Sequence, residues 1–130
     1  HRPLPSMYHK QAVILASGAG SGMKKAAKDI RTSLTGWGIS HISCYGFRSK
    51  ATTWEAVPES IKRRLMTDLA KLAGRIKRKQ HHKRISWKQK LMFHAMRQMQ
   101  KHGMGAGELD YQYWKERGWL ESSRPWTDDE

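Results

Sequence analysis

The stretch Ala12–Ile30, AVILASGAGSGMKKAAKDI, decides how the rest of the chain is read. Ala12 to Ala16 are small or aliphatic, a run of the length expected for a strand buried on both faces of a parallel sheet. Gly18, Gly20 and Gly22 then alternate with Ala19 and Ser21. A backbone of this kind reaches positive φ easily and can lie against a ligand with no Cβ in the way. From Met23 the period changes. Met23, Ala26, Ala27, Ile30, Leu34 and Trp37 recur at helical spacing and predict one apolar stripe on a helix of about four turns.

Strand, glycine loop and helix, in that order, present backbone N–H groups at a helix N-terminus to an anionic or planar cofactor. The loop meets neither standard nucleotide motif. A dinucleotide fingerprint needs glycine three residues after Gly20, where Met23 stands, and Gly22 comes one residue early; a P-loop needs Gly-Lys-Ser/Thr, whereas Lys24 follows Met23 and precedes Lys25. Two readings therefore stand side by side: a ligand-cradling loop, and a tight βα turn whose glycines let the helix pack close to the strand.

A length of 130 residues is that of one domain. The longest apolar runs are far too short to cross a membrane and none has the form of a signal peptide, which predicts a soluble, cytoplasmic protein. The single cysteine, Cys44, excludes an intrachain disulfide and a cysteine-rich zinc site, and its place in an expected strand predicts a buried, inert thiol. The formal charge of +14 is unevenly spread. No carboxylate lies between Asp68 and Glu108, while Lys71, Arg75, Lys77, Arg78, Lys79, Arg84, Lys88, Lys90, Arg97 and Lys101 all fall there with Lys83. Such a block is either a solvated set of helix surfaces or a face that attracts phosphates, acidic lipids or an acidic partner.

Along the chain, Pro3 and Pro5 mark an irregular lead-in to the first strand. Gly36 or Gly38 supplies the left-handed stop of the first helix. His41–Phe47 reads as a second strand with Ile42, Cys44 and Tyr45 inward, and a polar loop with Trp54 leads to Pro58, suited to a helix's first turn. Ile61, Leu65, Leu69, Leu72, Ala73 and Ile76 stripe that helix to about Lys77. Gln80–Lys83 is a polar break whose adjacent histidines, His81 and His82, point to different sides and make a poor metal pair. Ser86 and Gln89 are spaced as a capping box. The helix they open runs to Lys101 and carries Met92, Met96 and Met99 beside Leu91 and Phe93, as adaptable core or as a face for an anionic membrane. Gly103 closes it. A last helix, Glu108–Arg117, stops at Gly118, with Trp119 and Leu120 placed for a Schellman contact. The tail from Glu121, including Asp128, Asp129 and Glu130, reads as polar and mobile except at Trp126. Tyr45, Trp54 and Trp114 fit either a core or a cofactor cleft.

The order β-α-β-α followed by two helices supplies only two parallel strands, and two strands do not make a stable parallel sheet. With His1 rather than Met at the start, the expectation is the second half of a longer α/β fold, or a sheet completed by another chain. The loop segment, the strand HISCYGF, the loop ATTWEAVPE and the ending YWKERGWL together resemble the C-terminal half of flavodoxin-like NAD(P)H-dependent FMN reductases, over about Lys10 to Trp126. That resemblance implies a parallel sheet with helices on both faces, of which this chain holds the last two strands. It implies residues 1–79 as half of a flavodoxin-like domain, 80–120 as a helical extension packing on it, and 121–130 as a tail. It implies FMN at the strands' carboxyl ends, bound through Ser17, Gly18, Ala19, Gly20, Ser21 and Gly22, and hydride passing from NAD(P)H through the flavin to a small-molecule acceptor. No protein residue acts as catalytic acid or base in that scheme, and no metal is needed. The family's phosphate-binding loop, which follows its first strand, has no counterpart in these residues, so the partner expected is the missing N-terminal half or a second copy in a homo-oligomer. The competing expectation from the charge is a non-catalytic basic protein that binds nucleic acid, for which no motif is present, or an anionic membrane surface.

Overall fold

The computed structural model describes residues 2–18, 20–80, 84–104 and 107–127. Among them the elements are strand β1 (Gln11–Gly18), helix α1 (Met23–Gly36), strand β2 (His41–Arg48), and helices α2 (Glu59–Lys79), α3 (Trp87–Lys101) and α4 (Glu108–Glu116), with one turn of 3-10 helix at Pro5–Met7. β1 and β2 pair as a two-stranded parallel sheet, and α1 is the connection that parallel pairing requires. This is the mixed α/β architecture expected. None of the described helices is long and apolar enough to cross a membrane.

The chain separates into two compact units. One comprises Gln11–Thr32 and Ile42–His82, and so holds the sheet, most of α1, and α2. Within it the sheet is less covered than the sequence predicts. Ile14 is buried, but Val13 and Leu15, on the opposite face of β1, are 38% and 63% exposed. A strand buried on both faces needs neighbours on each side; α2 reaches β1 at Gln11, whose side-chain amide donates to the Ile76 carbonyl at 3.2 Å. α1 likewise buries none of its residues, and Ile30 is 49% exposed. Cys44 is exposed rather than buried, because the even-numbered residues of β2 lie on its open side. α2 starts after Pro58 and runs two residues past Lys77; of its predicted stripe Leu65 and Leu72 are buried, while Ala73 lies outside.

The second unit comprises His1–Lys10, Ser33–His41 and Lys83–Glu130. Its core is aromatic. Phe93 stacks on Trp114 with centroids 4.9 Å apart and meets the edges of Trp119 at 5.8 Å and Trp126 at 5.1 Å. Leu120 joins them, with Met96 and Tyr113 packed alongside. Trp114, Trp119 and Phe93 are among the largest side chains that are fully buried. The lead-in is tied to the same core: the Tyr113 hydroxyl donates to the Pro3 carbonyl at 2.6 Å, and Arg2 pairs with Asp110 at 2.6 Å. Ser86 caps α3 as predicted, accepting from the Gln89 N–H at 3.2 Å. The reciprocal half of the box is absent. Gln89 is buried and donates instead to the Thr35 carbonyl at 2.9 Å, while the Ser86 N–H donates to Ser40 Oγ at 3.4 Å.

Three helices stop on glycines with φ of +112° at Gly38, +66° at Gly103 and +64° at Gly118. Gly36 is the last residue of α1 rather than its stop. The N–H of the residue after each stop donates to a carbonyl five residues back: Ile39 to Leu34, Met104 to Met99 and Trp119 to Trp114. The tail, expected to be mobile except at Trp126, is packed at Pro125 and Trp126, while Glu121, Ser122 and Thr127 are exposed. Pro125 is fully buried, Trp126 lies against Phe93 and Tyr8, and the Arg97 guanidinium donates to the carbonyls of Leu120 and Glu121. The expectations for His81, His82 and residues 128–130 lie outside the described residues.

Candidate functional site

The glycine loop joins β1 to α1 at the carboxyl end of the parallel pair, where open α/β sheets bind ligands. Ser17 and Gly18 are the last two residues of β1. The Gly18 carbonyl accepts from the Ser49 N–H at 3.0 Å, which ties this end of β1 to the residue following β2. Gly20, Ser21 and Gly22 are exposed; Ala19 lies outside the described residues. Gly22 has φ +101° and its carbonyl accepts from the Ala26 N–H at 3.1 Å, so it stands at the entry to α1. The N–H groups of Met23, Lys24 and Lys25 have no acceptor within the helix and point outward from its positive end. No acidic residue occupies that first turn.

The glycines differ in what they do. A Cβ on Gly18 would come within 3.3 Å of Met23 Cγ, so this glycine lets the strand and the start of α1 approach each other. A Cβ on Gly20 or Gly22 would meet nothing within 4 Å. Gly22 is needed for its backbone angle. Gly20, whose φ is ordinary and whose surroundings are open, is not required by the fold of the described residues; what it leaves free is an approach to the backbone from outside.

A second feature, missed in the sequence, lies on the α2 side of β2. Tyr45, Phe47, Arg48, Lys50, Arg64 and Asp68 line a cavity of about 570 Å³. Tyr45 and Phe47 alternate along the strand and stack with centroids 6.4 Å apart. The Tyr45 hydroxyl donates to Asp68 Oδ2 at 3.1 Å. Burial pushes the phenol above its ordinary range, and the bond to the Asp68 carboxylate adds to the effect, so Tyr45 remains a proton-bearing donor at neutral pH. Arg64 lies 3.8 Å from the same carboxylate. Arg48, Lys50 and Arg64 thus outnumber Asp68 around an aromatic wall, a lining suited to a planar or anionic group. The period-2 placement of Tyr45 and Phe47 was the available signal. A second opening, about 460 Å³, is lined by Met23, Lys24, Ala27, Lys28, Arg31, Cys44 and Gly46.

Of the aromatics left open between core and cleft, Trp114 is fully buried in the aromatic core, Tyr45 lines the cavity, and Trp54 is 51% exposed with Lys62 Nζ 5.4 Å from its ring centroid. Among the described residues no group of His, Cys, Asp and Glu is placed to hold a metal ion. No protein-family model, curated protein or solved structure gives a match to this chain.

Proposed function

We propose that the chain is the C-terminal half of a flavodoxin-like FMN-dependent oxidoreductase that carries hydride from NAD(P)H to a small-molecule acceptor in the cytoplasm. The observation that supports this most is the open backbone at Gly20 and Gly22, at the carboxyl end of a parallel strand and at the N-terminus of α1. A Cβ at either glycine would meet nothing within 4 Å, which leaves room for a planar ring at that backbone. The residues present therefore fit the edge of a flavin.

FMN bound there supplies the hydride chemistry. The chain's own residues supply position and charge. N–H groups of the loop between Ser17 and Gly22 would hold the pyrimidine edge of the ring, and the hydroxyl of Ser17 or Ser21 would add a donor. The positive end of α1, reinforced by exposed Lys24 and Lys25 and opposed by no carboxylate in the first turn, would favour an anionic form of the group held there.

The edge of β1 that no described strand pairs, together with exposed Val13 and Leu15 on one face of that strand, supports the second part of the proposal. A further parallel strand, from an N-terminal half or a second copy of the chain, pairs with β1 and brings the contacts for the FMN phosphate. The test is a titration of FMN with the 130-residue chain, followed by quenching of flavin fluorescence, with the assembly mass measured in the same buffer. Saturable quenching at micromolar protein is expected. A folded chain that leaves flavin fluorescence unchanged removes the reading for this chain.

A further inference from the structure

α3 turns apolar residues to two sides. Phe93 faces the aromatic core and is fully buried. On the other side Trp87, Leu91, Ala95 and Met99 follow one another at intervals of four residues, a stripe that winds slowly along the helix. Trp87 is 68% exposed, Leu91 59% and Met99 38%, so the largest apolar groups of this stripe stand in solvent. Lys88 and Lys90 flank its first turn, the former with its Nζ 5.9 Å from the Trp87 ring centroid, and Lys101 lies at its far end. Arg84 precedes the helix. α3 contains no aspartate or glutamate.

These residues call for an occupant that is apolar and anionic at once. A second copy of α3 would bring lysines against lysines, which repel at contact distances. Nucleic acid answers the lysines and can stack on Trp87, yet leaves Leu91 and Met99 in water. An anionic bilayer surface answers both sets. Tryptophan and leucine enter the boundary between headgroups and acyl chains, lysines remain at the phosphates, and a helix of 15 residues, about 22 Å long, lies in the plane. We propose that the outer face of α3 docks on an anionic lipid bilayer, with Trp87 and Leu91 as the inserted pair and Lys88 and Lys90 on the headgroups. This does not depend on the flavin reading, because none of these residues lies in the glycine loop.

The test is co-sedimentation of the full chain with vesicles of phosphatidylcholine alone and of phosphatidylcholine mixed with phosphatidylglycerol, at low and high salt. Binding is expected to the mixed vesicles, weakened by salt. Trp87→Ser combined with Leu91→Ser should lower the partition about tenfold or more, with helix content by circular dichroism unchanged. Lys88→Glu with Lys90→Glu, both exposed, should abolish the preference for anionic vesicles, and gives an answer even if the first variant fails to fold. Met66→Ser, which removes an equally exposed apolar group from α2, should leave binding intact. Binding unaffected by either α3 variant, loss of the same size in Met66→Ser, or binding to single-stranded RNA with none to vesicles would each overturn the proposal.

Discussion

The ring of Tyr8 fills the space that a side chain on residue 38 would need: a Cβ built on Gly38 would lie 2.6 Å from Cε2 and 2.7 Å from Cδ2 of that ring. Gly38 also has φ +112°, a backbone angle that side-chain-bearing residues rarely adopt, and Tyr8 is itself buried. Gly38→Ala is therefore expected to cost about 2–4 kcal/mol, from overpacking and from backbone strain together. Urea denaturation followed by tryptophan fluorescence measures it. A loss under about 0.5 kcal/mol, the range of a neutral surface change, would show that the tyrosine does not keep this place in solution.

The tryptophans should separate sharply by position. Trp114 is fully buried and stacked on Phe93, so Trp114→Ala is expected to cost about 3–5 kcal/mol. Trp54 touches Lys62 at an exposed site, where the contact is worth about 0.5–1 kcal/mol. Equal costs for the two would mean that the aromatic core is not the one described.

Cys44 should react with a thiol reagent in the native chain at a rate close to that of the unfolded chain. It is exposed on β2, at an opening also lined by Met23 and Ala27. Protection in the native chain, lost on dilution, would show that a second copy covers this side of the sheet.

What the sequence disclosed was local. Ser86 at the start of α3, and Gly38, Gly103 and Gly118 at helix stops, each act through bonds within a few residues of themselves, so their spacing is sufficient evidence. What stayed hidden was tertiary. Leu15 and Ile30 have core-forming side chains at the periods of a strand and a helix, yet they are exposed, because a periodic pattern states which face is apolar and not what covers it. Trp126 stood out in a polar tail, but the sequence did not show that its partner is Phe93. Of the candidate site, the loop was legible from its glycines; the cavity lined by Tyr45 and Arg64 was not, since it depends on α2 meeting β2.

His94 should make stability pH-dependent. Burial holds its pKa below the ordinary value of 6.5, and the charges of Arg124 and Arg97 push the same way. An unfolded chain takes up this proton near 6.5, whereas the folded chain resists it until lower pH. Stability is therefore complete above that value and falls as pH drops through the interval beneath it. Thermal midpoints across pH 5 to 8 should fall less steeply on the acid side for His94→Gln than for the parent, with only a small difference because His94 keeps part of its surface in solvent. Identical profiles would show that the ring protonates equally in both states.

Gly20 and Gly22 distinguish a flavin cradle from a tight turn. Gly22→Val places a branched side chain at φ +101° and should lose about 1–3 kcal/mol of stability whatever the loop does. Gly20→Val meets no neighbour within 4 Å and asks nothing unusual of the backbone, so its stability should stay within about 0.5 kcal/mol of the parent. If the loop receives a flavin ring, that valine occupies the approach, and FMN quenching should weaken at least tenfold, measured on the parent and the variant in the same assembly state. If the loop only turns the chain, Gly20→Val is silent in both measurements. The pair thus separates a glycine kept for the fold from one kept for a ligand, and unchanged flavin affinity in a folded Gly20→Val protein would remove the loop from the site.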